Sequence, residues 1–469
     1  MPLPILYRNT RESIVDAGVI RKLADIVEKQ GTNVWFENDG PALALLLGLE
    51  NPDEVSRKID TIDVWIDSGS SHRALAKTHP HVRFPADLYL EGSDQHRGWF
   101  QSSLLTSVAS CGKAPYKAVV TNGFVVDIDG KKLSKSGTYQ KPTDLMSFIN
   151  KYGADVLRLW VASENYQTDV PWSEEIFTHV SDTYRRIRNT FRILLANITD
   201  FDPENHSVDL VKGITSDGLV ASQGENDLND LLVDRWVLSR LQSVVEECLQ
   251  AYESYEFHRV YHAVNSFCAV ELSSLYVDIT KDRMYCDKVN SLRRRGTQTV
   301  MYQVLSALTR IMAPVMPFTT EETWAYLDKS GKSVHRQLMP KVETSLKDTK
   351  VEELIQQWLK IRDVSAIELE KARQAKLIGK SVDARVVLTL ADSASLSAVK
   401  GKTEALAEFL IVSQVDIVEG PEIKAEVATP RGQKCARSWR WHESVGLDPE
   451  YPDLTPRDVD AVRSYVQKV

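Results

Sequence analysis

The sequence predicts an α/β layer, then a helical bundle, then a small mixed α/β region. Three observations carry this. In residues 1–140, short apolar runs end in polar, glycine-containing loops and alternate with helical patterns. Residues 172–326 hold long helix-period apolar patterns with short breaks, as a bundle requires. From residue 351, helical and alternating patterns mix again. The expected boundaries are 1–150, 151–330, 331–425 and a polar terminal segment, 426–469, that contains Trp439 and Trp441.

In chain order, residues 21–30 read as a helix, because Leu23, Ile26 and Val27 share one face. Residues 62–66 (Ile-Asp-Val-Trp-Ile) read as a buried strand ending at Asp67-Ser68-Gly69-Ser70. Residues 86–90 and 117–120 read as two further strands, ending before Glu91-Gly92-Ser93-Asp94 and Thr121-Asn122-Gly123. In such sheets ligands sit beyond the carboxyl ends of the strands. Residues 172–198, 228–252, 257–285 and 297–326 form the helical patterns, and 199–226 reads as an exposed connection rich in Asp, Ser and Gly. Residues 353–377 and 405–411 read as helices, and 384–390 and 414–418 as strands.

The 469 residues suggest about three domains at roughly 150 residues each. With 43% hydrophobic and 26% charged residues the composition is that of a globular protein, which excludes a fibrous or wholly disordered chain. Lys and Arg total 57 against 65 Asp and Glu, a formal charge of −8. That balance argues against nonspecific coating of nucleic acid and leaves room for a local basic patch. No apolar run approaches the ~18 residues of a membrane span, and the first residues lack a signal-peptide pattern. Five scattered cysteines, an odd number, fit a reducing cytoplasm better than a disulfide framework.

Three motifs carry chemistry. Lys132-Leu133-Ser134-Lys135-Ser136 puts two ammonium groups and small hydroxyls on a loop just after the sheet, a chemistry that grips nucleotide phosphates. Alone, five such residues fit a solvated basic loop better. Tyr89-Leu90-Glu91-Gly92-Ser93-Asp94-Gln95-His96-Arg97-Gly98-Trp99-Phe100 sets two carboxylates, an amide and an imidazole at a strand end, where they can hold an ammonium group and a ribose. Trp65, just before a Ser/Gly turn, by itself fits a core position better than a ligand contact.

Together these motifs resemble the class I aminoacyl-tRNA synthetases, and within them the isoleucine-specific branch. Lys132–Ser136 is similar to that class's lysine loop, with Leu133 where Met is usual. Residues 91–100 are close to the isoleucine branch's version of this strand end, and 63–70 match with Ile66 where Phe is common. The likeness continues through 151–160, Asp234-Arg235-Trp236, 281–285 and Ile378-Gly379-Lys380-Ser381, so it covers nearly the whole chain. It implies the second half of a Rossmann-like catalytic domain, a helical anticodon-binding bundle, a junction domain and a remnant of a zinc-binding module. It implies isoleucine activation with ATP and Mg2+, followed by transfer to tRNA(Ile). Lys132 and Lys135 would act on the ATP phosphates. Glu91 would hold the adenylate's amino group, with Gly92, Asp94, Gln95, His96, Ser134 and Ser136 around the nucleotide. Trp65 and Trp99 would flank the isoleucine side chain. Arg185, Arg186, Arg188 and Arg192, and the triplet Arg293, Arg294 and Arg295, would meet tRNA phosphates; without the resemblance, a solvated helix face is the better account of such clusters.

Two departures from the family pattern stand out. No His-x-Gly-His occurs in these residues, and no editing domain is recognisable, so a separate N-terminal half or a longer parent chain is expected. A non-catalytic tRNA-binding remnant is the competing reading. Many bacterial members also end in a Cys-x-x-Cys…Cys-x-x-Cys zinc site. Here those positions read Cys435-Ala436-Arg437-Ser438 and Thr455-Pro456-Arg457-Asp458, and with three of four ligands changed no zinc is expected.

Overall fold

A computed structural model describes residues 2–9, 11–127, 129–131, 145–210, 214–215, 231–391 and 393–466. The chain divides into two compact units, 1–134 with 166–171, and 135–165 with 172–469.

The first unit opens with an antiparallel sheet of β1 (Leu6–Arg8), β2 (Glu12–Ile14) and β3 (Val55–Arg57), with β1 central. Helix α1 (Ala17–Gln30) starts where Asp16 Oδ1 accepts from the Gly18 and Val19 amides, four residues before the expected start, and ends at Gly31. With α2 (Val34–Glu37) and α3 (Gly40–Leu47) it closes a core of Leu6, Leu23, Trp35, Leu43, Leu47 and Val55. At Gly40 the helix touches β3 so closely that a Cβ would stand 2.3 Å from the Val55 carbonyl oxygen.

The expected strand at 62–66 is a helix, α4 (Val64–Gly69), capped by Asp63 Oδ1 on the Trp65 amide at 2.8 Å, and its apolar side chains face outward. A five-residue apolar run does not distinguish strand from helix, and the cap decides it. After α5 (Ser71–Thr78) the two other expected strands are present. β4 (Ala86–Gly92) and β5 (Tyr116–Asn122) pair in parallel, joined by α6 (Trp99–Cys111). β6 (Val125–Val126) pairs with β7 (Val170–Pro171).

The second unit is helical at first: α7 (Leu145–Tyr152), α8 (Ala154–Ser163), α9 (Glu174–Asn197), α10 (Leu232–Glu253) and α11 (Phe257–Ser266). A π-helical stretch, Phe267–Tyr276, joins α11 to α12 (Val277–Cys286); α13 (Leu292–Met312) and α14 (Pro317–Leu327) follow. Ser173 caps α9 at the Ile176 amide, and Pro317 supplies the first-turn residue of α14. Helix α10 packs on α11 and α13, and α9 on α8, α13 and α14. The connection expected to be exposed is only partly so. It holds a short antiparallel pair, β8 (Val208–Asp209) and β9 (Ile214–Thr215); Val208 and Leu210 are buried, and the Val208 amide donates to Thr299 Oγ1 at 3.0 Å. A count of polar residues hides two apolar anchors.

Helix α15 (Thr349–Gln374) then covers a sheet of β10 (Arg385–Leu390), β11 (Gln414–Glu419) and β12 (Lys424–Ala428). β10 lies between a parallel and an antiparallel neighbour, with Val386, Leu388 and Leu390 inward. Between β10 and β11 come α16 (Ser393–Val399) and α17 (Thr403–Phe409). A terminal lobe of β13 (Gln433–Lys434), β14 (Trp441–His442) and α18 (Pro456–Val466) surrounds Cys435, Val445, Leu454 and Val459. Among the described residues no helix is long and apolar enough to cross a membrane.

A buried charge network runs through this unit. Arg283 of α12 is 1% exposed. It donates to Asp234 of α10 at 2.6 Å and, through two nitrogens, to Glu408 of α17 at 2.9 and 2.5 Å. Burial alone would push the Glu408 carboxyl up, but the charges of Arg283 and Arg293 hold it at about 2. The ordinary value is 4.5. The stability it contributes is therefore complete above the ordinary value and lost as pH falls through the folded value. Urea unfolding followed by circular dichroism should show stability falling between about pH 4.5 and 2, with a shallower slope for Glu408→Gln. Arg283→Ala strands two buried carboxylates and should cost about 3–5 kcal/mol in the same assay at pH 7.

Candidate functional site

In the first unit the candidate residues gather where β4 ends. Glu91 and Gly92 are the last two residues of β4, a 3-10 turn spans Ser93–Arg97, and Gly98 starts α6. Glu91, Asp94 and His96 are exposed, whereas Gln95 and Trp99 are half-buried. The Glu91 carboxylate turns back to accept from the Gly92 amide at 3.1 Å. Asp94 accepts from Gln95 Nε2 at 3.3 Å, and Gln95 Oε1 accepts from the Trp99 amide at 2.9 Å. His96 stands edge-on to Phe100 with centroids 5.5 Å apart. The turn thus presents two carboxylates and an imidazole to solvent, with the amide of Gln95 bracing them against the helix start.

The two tryptophans come together here. Trp99 stacks flat on Tyr89 of β4, with centroids 4.1 Å apart and planes within 4°, and its Nε1 donates to the Ser68 carbonyl at 3.0 Å. Trp65 of α4 lies against Gly98, where a Cβ would stand 2.7 Å from its ring. Its ring remains 42% exposed. Both indoles therefore border the strand-end turn, one fixed and one open. Tyr89 and Ser68 lie within the sequence motifs, but their part in positioning Trp99 is visible only in the fold. An aromatic two residues before the carboxylate was the available signal.

Lys132, Ser134, Lys135 and Ser136 lie outside the described residues. The approach to them is described. Asp127 Oδ1 accepts from the amides of Asp129 and Lys131 at 3.0 and 2.8 Å, and Gly130 has a positive φ of 76°. Just upstream, a Cβ on Gly123 would meet the Thr168 carbonyl at 2.3 Å, and Phe124 donates its amide to Asp169. These contacts, not legible in the sequence, hold the backbone of residues 123–124 and of the turn that ends at Lys131.

In the second unit, Arg185 pairs with Asp182 on the surface, and Arg186 donates to Asn265. Arg188 and Arg192 border a groove of about 1100 Å³ between α9 and α14, together with Tyr302, Tyr326 and Lys329. The triplet at the start of α13, expected to meet tRNA phosphates, also has partners within the protein. Arg294 makes a two-point contact with Asp200 at 2.8 and 2.9 Å, Arg293 donates to Asp287, and Arg295 is buried on Asn290, Gln298 and the Asp200 carbonyl. Three cations in the first turn of a helix oppose its dipole, and these carboxylates offset them. Burial alone would raise the Asp200 carboxyl, but Arg294, Gln298 and Arg295 bring it down to about 2.

The bracing role of Gln95 is testable. Gln95→Ala, which frees the Trp99 amide, should cost about 1 kcal/mol in thermal unfolding. Asp94→Ala, on an exposed side chain, should stay within about 0.5 kcal/mol.

Two family models match the chain, tRNA synthetases class I (I, L, M and V) over residues 1–173 and the anticodon-binding domain of tRNA ligase over 234–388. Among curated relatives, the isoleucine–tRNA ligase of Methylacidiphilum infernorum (isolate V4) is 46% identical over 462 residues, covering 97% of this chain and 48% of that protein. That of Syntrophotalea carbinolica is 43% identical over 477 residues, covering 98% and 49%. The chain spans about half the length of the curated relatives it matches. Among solved structures, the AgnB2 LeuRS of Agrobacterium radiobacter K84, in a LeuRS–tRNA–LeuAMS ternary complex, matches with a TM-score of 0.51 at 16% identity. That match covers 84% of this chain and 43% of that one, and shows a shared fold. The chain thus carries a class I tRNA synthetase domain and an anticodon-binding domain of tRNA ligase, and it is similar to isoleucine–tRNA ligases along nearly its whole length.

Proposed function

We propose that this chain supplies part of an isoleucine–tRNA ligase. In that reaction isoleucine is activated by ATP to isoleucyl-adenylate and passed to tRNA(Ile). The carrying observation is the 46% identity to an isoleucine–tRNA ligase along 97% of the chain. The isoleucine carboxylate attacks the α-phosphorus and pyrophosphate leaves; a tRNA terminal hydroxyl then attacks the adenylate carbonyl and AMP leaves. Mg2+ arrives with ATP as part of the substrate. Lys132 and Lys135 stabilise the phosphate charge, and Ser134 and Ser136 add hydroxyl contacts. Glu91 takes the ammonium group, and Asp94 and His96 the nucleotide. Trp65 and Trp99 enclose the side chain in a slot that rejects valine by only ~1–3 kcal/mol. We assign the reaction to the cytoplasm, in keeping with five free thiols.

The groove of Arg188, Arg192 and Lys329, with its tyrosines, supports a tRNA-facing role for the helical unit, because cations track phosphates and aromatic rings accept bases. Arg185 and Arg186 extend that cationic side of α9. The missing His-x-Gly-His signature must come from elsewhere, in the same polypeptide or a separate one. The β4–β5 pair suits such a supplement. Parallel strands are stable when covered, and Leu90 and Leu105 beside them are 59% and 61% exposed.

The cationic, aromatic groove of the helical unit also favours a second reading, a tRNA-binding protein without catalysis. Isoleucine-dependent pyrophosphate exchange, run on the chain alone and with a supplied His-x-Gly-His half, separates the two. Exchange in the mixture supports the ligase, and no exchange in either preparation leaves tRNA binding. In the active mixture Lys135→Ala should lower the exchange rate by roughly 10²–10³-fold with little change in isoleucine affinity. Arg192→Ala should weaken tRNA binding and reduce the slope of log K against log salt by about one.

A further inference from the structure

The four positions where the family pattern would put zinc thiolates converge in the terminal lobe. Asp458 Oδ2 accepts from Cys435 Sγ at 3.0 Å, Ser438 Oγ at 3.0 Å and Thr455 Oγ1 at 2.7 Å. Asp458 is fully buried, as is Cys435. Arg457 donates to its other oxygen at 3.2 Å, and Arg437 Nε lies 3.8 Å from that same oxygen. The Asp458 amide donates back to Thr455 Oγ1 at 3.3 Å, closing the first turn of α18.

These residues do not fit a zinc ion. Ligand atoms around one tetrahedral zinc stand about 3.3–3.8 Å apart, given bonds of roughly 2.0–2.3 Å. Here the three donors are 2.7–3.0 Å from the fourth, with their protons already directed at it. Two of the four are hydroxyls, poor ligands at neutral pH. Among the described residues no group of three or more His, Cys, Asp or Glu side chains is placed to hold a metal.

We infer that the Asp458 carboxylate takes the structural place of the metal, as a hydrogen-bond hub that gathers Cys435, Ser438 and Thr455 and lets the lobe fold without an ion. The hub also fastens the lobe to the helical bundle. Arg457 bridges Asp458 to Asp282 of α12 at 2.5 Å and to Asp287 at 3.4 Å, and Arg437 donates to the Tyr285 carbonyl at 3.1 Å. A metal site folds its own loop in isolation, whereas this lobe draws on the bundle for its charge balance.

The test uses the full chain, grown with added zinc, and reads metal content and thermal unfolding. The hub requires well under one zinc per chain and an unfolding temperature unmoved by a chelator. One retained zinc, or a marked fall on chelation, overturns it. Cys435→Ser keeps a donor and removes the best ligand. The hub expects a shift of no more than about 3 °C, and a larger fall accompanied by zinc loss overturns it. Asp458→Ala removes the acceptor from three donors and two arginines, so a fall of more than about 5 °C is expected; parental stability overturns the hub. In the triple variant Ser438→Cys, Thr455→Cys and Asp458→Cys, the four thiols should take up one zinc per chain. A folded triple variant that binds none shows that the four positions do not share a centre.

Discussion

Arg283 is held inside the second unit between carboxylates from two other helices, Asp234 of α10 and Glu408 of α17. An isolated guanidinium could not remain there, because the desolvation penalty is several kcal/mol per ion. Each partner must therefore stay in place for the others to be tolerated. α10 and α12 belong to the bundle, and α17 to the mixed sheet region, so one cation fixes how the sheet region lies on the helices. Tyr276, at the end of the π-helical stretch, donates to Asp234 at 2.6 Å and completes the carboxylate's shell. The family motifs Asp234-Arg235-Trp236 and Lys281-Asp282-Arg283 thus have a structural reason to occur together.

The network extends outward in alternating signs. Arg293 reaches Asp287 and Glu408, Asp282 takes Arg457 at 2.5 Å, and Arg457 reaches Asp458. Bundle, sheet region and terminal lobe consequently share one set of charges. The arginine triplet at α13 is part of this set. Arg293 adds a cation beside the buried Asp287 and Glu408, Arg294 and Arg295 pair with Asp200, and these acids offset the poor placement of three cations at a helix start.

The parts legible in the sequence were those where periodicity has one meaning. The alternation at 384–390 and the long helix patterns each matched a single structure, because a half-buried strand or an amphipathic helix leaves no equivalent alternative. The strand-end turn was legible as a cluster of chemistry. Its bracing was not, because the Trp99–Tyr89 stack and the Trp99–Ser68 bond join residues distant in sequence. Residues 62–66 misled because their apolar side chains face outward in a capped helix. At Arg293–Arg295 the internal pairing was not legible, since charge sign in a sequence does not tell whether a carboxylate is brought in by the fold.

The terminal lobe shows what replacing a metal demands of the surrounding charges. Zinc is a cation that gathers anionic thiolates. A carboxylate at the centre inverts that polarity, so every neighbour must donate. A thiol and two hydroxyls do so without charge of their own, and two arginines supply the positive balance. That balance cannot be met inside a loop of this size alone. Arg457 meets it only because Asp282 and Asp287 of the bundle hold it in position, and a lobe organised around an anion is therefore bound to the helices beneath it.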